Sequence, residues 1–210
     1  VDGVTVSLFK IVNTGNAGEQ EGIFVGAPSG YTDDPAKTIE ISNNLIDGVD
    51  TSDSVAAEGI HVKSYNGEQI DGIDILDNTI SNVSQPASGA DGIKLQADLN
   101  NVNVLRNTIT NIHGAWSYGV VATPSGSEPG FPKIVTVEEN IFSAITAETA
   151  EYATAVGVDT ASGSDESGTV ADASELEVHN NEFGDTYYGA VNKDLDEVLD
   201  ATYNDWGDPS

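Results

Sequence analysis

The chain has 210 residues, enough for one domain with a buried core, and 35 Asp and Glu stand against 7 Lys and Arg, a formal net charge of −28. Such a surface repels nucleic acid and anionic lipid, and no apolar run approaches the roughly 18 residues of a membrane span, so neither nucleic acid nor membrane insertion of this segment is expected. Cysteine is absent, which excludes disulfides and thiolate metal sites.

Hydrophobic residues make up 38% of the chain and recur periodically, so the acid excess belongs to a folded surface rather than to a disordered chain. That much like charge repels itself until salt shortens the Debye length to about 3 Å near 1 M. With 6 Lys and 1 Arg, the composition resembles that of proteins from extreme halophiles; an acidic marine or calcium-rich secreted protein is the plainer alternative. The chain lacks Met and begins at Val1, which suggests a processed or excised piece.

In chain order, an apolar-x-apolar-x-x-Asn-x-apolar phrase recurs as "IEISNNLI" (39–46), "IDILDNTI" (73–80), "VNVLRNTI" (102–109), "VTVEENIF" (135–142) and "LEVHNNEF" (176–183). Asn44, Asn78, Asn107, Asn140 and Asn181 hold one place, which Phe9 takes in "VTVSLFKI" (4–11). Anchors separated by 35, 34, 29, 33 and 41 residues suit a coil whose loops vary. A second phrase follows each first: "GIFV" (22–25), "GIHV" (59–62), "GIKL" (92–95), "GVVA" (119–122), "AVGV" (155–158) and a worn "GAVN" (189–192). Both alternate with period two, the pattern of half-buried strands, and no segment sustains a helical period. An inward Asn at a strand corner can bond the Asn one strand away, roughly 4.8 Å distant, so a stacked column satisfies amides that would be costly singly.

These repeats resemble the right-handed parallel β-helix proteins, the group of pectate lyases, polygalacturonases, surface adhesins and phage tailspikes. The ending "LDATYNDWGDPS" (199–210) is similar to the "DAT-N-WG-P" segment that closes secreted repeat β-helices, including those of salt-loving archaea. The resemblance implies an all-β, single-stranded right-handed parallel β-helix of about six coils with an internal Asn ladder. Coils would span 1–198 and a closing segment 199–210, with Trp206 packed over the last coil.

Enzymes of this fold work on a polysaccharide laid along an outer face, using carboxylates, a basic group and often calcium. Aligning the second phrase puts Phe24, His61, Lys94 and Val121 in one outward column, with Glu21, Glu58, Asp91 and Tyr118 just before each Gly. Glu58, His61, Asp91 and Lys94 are therefore the catalytic candidates: a basic group beside two carboxylates is the equipment for abstracting a sugar C5 proton. The plainer reading is a solvated face on which scarce cations pair with abundant acids. The polygalacturonase set is missing, since "GADG" (89–92) is only a fragment of it. Trp116 and Tyr118 share a loop and are the carbohydrate-binding candidates. Asp47, Asp50 and Asp53 in "DGVDTSD" are the calcium candidates, without an EF-hand pattern.

Three functional classes stay open: an extracellular or cell-surface structural or adhesive module of a halophile contacting glycans, a polysaccharide lyase or epimerase, and a viral or filament fibre component. The N-terminal face around Val4, Val6 and Ile11 is expected to be covered by an upstream segment or by a neighbouring copy in a self-assembly.

Overall fold

The computed structural model describes residues 4–14, 20–26, 38–51, 55–125, 130–159, 176–192 and 199–207. They form strands and one short 3-10 turn, and every strand pairing is parallel, each strand bonding to the corresponding strand of the next repeat copy. The protein is all-β with parallel sheets, an arrangement compatible with a β-solenoid.

The first phrase supplies a six-stranded row: β1 (Val4–Ser7), β4 (Ile39–Ser42), β7 (Ile70–Leu76), β9 (Leu99–Leu105), β11 (Lys133–Glu138) and β14 (Leu176–His179). Its Asn-x-apolar end leads into a second row of β2 (Lys10–Thr14), β5 (Leu45–Asp50), β8 (Thr79–Gln96), β10 (Thr108–Thr123), β12 (Ile141–Ala147) and β15 (Glu182–Phe183). β8 and β10 run on into a third row, formed by the second phrase, with β3 (Gln20–Gly26), β6 (Ala57–Lys63), β13 (Ala153–Val158) and β16 (Tyr188–Asn192). The core is stacked apolar residues, mostly β-branched, held in register: Ile39, Ile73, Val102 and Val135 line up in the first row, and Ile46, Ile80, Ile109 and Phe142 in the second. Each buried Ile contributes about 1.5–3 kcal/mol relative to exposure.

The Asn column is continuous. Asn44 Nδ2 donates to Asn78 Oδ1, Asn78 to Asn107, Asn107 to Asn140 and Asn140 to Asn181, each at 3.0 Å. Each Nδ2 also donates to a carbonyl of the preceding copy, such as Val6 O for Asn44 and Ile75 O for Asn107. At the place where Phe9 replaces Asn, the Phe9 backbone N–H donates to Asn44 Oδ1 at 3.1 Å. The residue before each Asn turns the corner with positive φ: Asn43 at 54°, Asp77 at 55°, Arg106 at 55°, Glu139 at 56° and Asn180 at 54°. Asn and Asp accept that conformation readily, whereas Arg106 and Glu139 pay about 1 kcal/mol for it.

The described part of the ending, 199–207, keeps the pattern of the repeat. Leu199, Ala201, Asn204 and Trp206 keep the spacing of the first phrase. Asp200 bridges Glu177 and Asp205 bridges Glu182, both in parallel. Trp206 falls where the earlier copies carry Ile or Phe and stacks on Phe183 at 5.0 Å, which stacks on Phe142 at 5.5 Å.

The second phrase begins with Gly for a steric reason. A Cβ on Gly22, Gly59, Gly92 or Gly119 would lie 2.5–2.6 Å from the backbone oxygen of the next copy and as close to a core side chain, Ile46, Ile80, Ile109 or Phe142 in turn.

Candidate functional site

The third row brings the aligned residues into register. Glu21 pairs with Glu58, Glu58 with Asp91 and Asp91 with Tyr118, while Phe24 pairs with His61, His61 with Lys94 and Lys94 with Val121. Both columns form as the phrases predict, but they are not the open face that a solvated reading implies. Glu58 is 2% exposed, Asp91 4% and His61 6%, and among the described residues no other Asp, Glu, Lys, Arg or His is buried. In a chain with 35 acids, the two that are buried among the described residues thus sit side by side.

Lys94 Nζ donates to Glu58 Oε1 at 2.9 Å and stands 3.9 Å from Asp91 Oδ2. One strand earlier, His61 Nδ1 lies 3.6 Å from Glu21 Oε1 and His61 Nε2 lies 3.3 Å from Gln96 Oε1. Phe24 packs edge-on against the imidazole at 5.3 Å. Tyr118 lays its ring over Gly157, where a side chain would collide with it, and donates its hydroxyl to Asp159 Oδ2 at 3.0 Å. Glu58 Oε2, Asp91 Oδ1 and His61 Nδ1 are buried without a hydrogen-bond partner.

Burial pushes the Asp91 carboxyl up to about 7; Lys94 opposes the rise, and Glu58 and Asp159 add to it. Burial, then the Asp159 carboxylate, also raises the Tyr118 hydroxyl. Glu21 is held below the ordinary carboxylate range by the His61 imidazole, against partial burial. A carboxyl that titrates near neutrality beside a lysine can exchange a proton at physiological pH, the property of a general acid or base. Its burial excludes a bulky polymer from direct contact.

The other candidates fall elsewhere. Trp116 is 47% exposed and Tyr118 only 5%, so the two rings do not share a surface. Asp47 accepts from Ser81 Oγ at 3.0 Å and from Asn82 Nδ2 at 2.6 Å, which hold its carboxyl below the usual range, Asn82 more than Ser81. Asp50 is exposed, and Asp53 lies outside the described residues.

Sequence reasoning left Glu21, Gln96 and Asp159 out of the site. Glu21 was readable, being in line with Glu58, and Gln96 lies two residues past Lys94 on the same side of the strand. Asp159 had no signal, because its contact depends on the Tyr118 ring crossing Gly157. No family model, curated protein or solved structure matches the chain.

Proposed function

We propose that the chain is a right-handed parallel β-helix of about six coils, with 199–207 beginning a further one, and that it serves as an extracellular or cell-surface structural module that contacts glycans. The observation that carries this reading is a set of exposed aromatic residues at or just before the third-row segments of three successive copies. Ser117 pairs with Ala153 and Thr154 with Tyr188, so Trp116 in β10 is followed in the next copy by Tyr152, in the 3-10 turn just before β13, and in the one after by Tyr187, just before β16, and Tyr188 at its start. Their exposures are 47%, 54%, 56% and 42%. Strands about 4.8 Å apart offer rings at the scale of a sugar chain, and an aromatic face with a polar tip is suited to a sugar's apolar face and hydroxyls. The net charge of −28 favours neutral glycans over acidic ones and a saline surrounding.

Affinity electrophoresis in gels loaded with neutral polysaccharides tests it: the wild-type chain is retarded, and Trp116→Ala and Tyr152→Ala each restore mobility. Retardation unchanged in both variants, or none with any glycan, sinks the reading. The lyase or epimerase alternative draws on Lys94 between Glu58 and Asp91. It predicts absorbance growing near roughly 235 nm with uronic-acid polymers and lost in Lys94→Ala. Silence in both assays leaves a purely structural fibre component.

A further inference from the structure

One donor atom from each of Glu21, Glu58 and His61 lies within 4.8 Å of the others. Proximity of acids means little on so acidic a chain; burial without partners means more. Glu58 Oε2 and His61 Nδ1 are shielded from solvent and unbonded, and an unpaired buried polar atom costs about 1–3 kcal/mol. Both belong to groups already steered from behind. Lys94 holds Glu58 by Oε1, which leaves Oε2 buried without a partner. Gln96 Nε2 donates to Pro124 O at 3.3 Å, which turns Gln96 Oε1 toward His61 Nε2 at 3.3 Å. Nε2 therefore carries a proton, and Nδ1 is the ring atom left for a ligand. An imidazole that gives its far N–H to an amide oxygen is arranged as metal-binding histidines are.

We propose that Glu21, Glu58 and His61 bind one divalent transition-metal ion of the zinc or manganese type, with Lys94 and Gln96 as the positioning residues behind them. An imidazole with two carboxylates suits such ions, whereas calcium asks for six to eight oxygens. Glu58 and Asp91 lie beside Lys94 and Glu21 lies beside His61, so a dication would add positive charge to a group of three carboxylates when all are ionised. A proton on Nδ1 is the competitor, but 3.6 Å to Glu21 is longer than a hydrogen bond, and it leaves Glu58 Oε2 unmet. Bonds of about 2.0–2.2 Å require the three groups to draw together by roughly an ångström. The inference does not depend on the glycan reading.

The test is calorimetric titration of zinc chloride into chelator-stripped, dialysed protein, in about 1 M sodium chloride to suppress diffuse counterion binding. One saturable site per chain is expected, with a higher melting temperature in zinc and ligand-field absorption when cobalt replaces it. Glu21→Gln and His61→Ala each weaken zinc by at least about tenfold, and Gln96→Leu weakens it by about 10- to 100-fold; exposed Asp77→Asn leaves it unchanged. Should His61→Ala fail to fold, Glu21→Gln decides, its side chain being 20% exposed. Absence of a saturable site, calcium competing equally, or wild-type affinity in Glu21→Gln overturns the proposal.

Discussion

Asn204 Oδ1 accepts two hydrogen bonds from Asn181, one from its backbone N–H at 2.9 Å and one from its Nδ2 at 3.0 Å. The ladder thus runs on into the ending, where Asn204 Nδ2 donates in turn to Val178 O at 2.7 Å. Asn204→Leu takes the acceptor from the Asn181 backbone N–H and a donor from the Val178 carbonyl, while Asn181 Nδ2 keeps Val137 O and His179 O, at about 1–3 kcal/mol for each stranded group that water cannot reach. Chemical denaturation is expected to show the loss, whereas an unchanged midpoint would mean that 199–207 only lies against the stack.

Asn107 sits deeper, between Asn78 and Asn140, and is 1% exposed. Its replacement by Leu takes the acceptor from the Asn78 backbone N–H and a donor from the Ile75 carbonyl, while the backbone N–H of residue 107 still reaches Asn140 Oδ1, so the loss should exceed that of the more exposed Asn204→Leu, at about 1–3 kcal/mol for each stranded group. Smaller destabilisation than in Asn204→Leu, measured by the same denaturation, would contradict the ladder as a buried element.

Gly92 tests the packing of the third row against the core. A Cβ there would lie 2.5 Å from Gly119 O and 2.6 Å from Ile109 Cγ2. Gly92→Ala is expected to cost about 1–3 kcal/mol through overpacking, and Gly92→Val more. A melting temperature that rises in Gly92→Ala, as replacing a flexible residue would give without a clash, argues against the close approach.

Salt dependence follows from the charge. Lengthwise neighbours on the first row are partly relieved by amides, as where Asn103 Nδ2 donates to Asp74 Oδ1 at 2.8 Å and Arg106 pairs with Asp77 at 2.9 and 3.1 Å. Those contacts leave most of the −28 unopposed. Raising sodium chloride from about 0.1 M to 1 M shortens the Debye length from about 10 Å to 3 Å, and the melting temperature should climb over that range. A flat or falling curve would show that repulsion does not limit stability.

The parallel rows were legible because two periodicities agree: alternation put Ile73, Ile75 and Ile80 inward, and the fixed offset of Asn78 located the corner. The last copy was equally legible in Leu199, Ala201, Asn204 and Trp206, which keep the spacing of the first phrase. Burial of Glu58, Asp91 and His61 was not legible. Alternation says which side of a strand a residue takes, and nothing about what later covers that side. The same limit separated Trp116 from Tyr118: adjacency in a loop did not foretell that one ring would lie flat over Gly157 while the other faced water.

The asparagine column also fixes how the molecule ages. Hydrolysis of a side-chain amide replaces Nδ2, a donor, with a carboxylate oxygen that can only accept. At Asn107 that oxygen would face Asn140 Oδ1, Ile75 O and Leu105 O, the three acceptors its amide now serves. A surface asparagine undergoes the same conversion at little structural cost, but here a single lost ammonia sets a negative charge among carbonyls in the interior. The lifetime of the folded chain on storage or prolonged heating is therefore bounded by the slow chemistry of a few amides as well as by the strength of its packing.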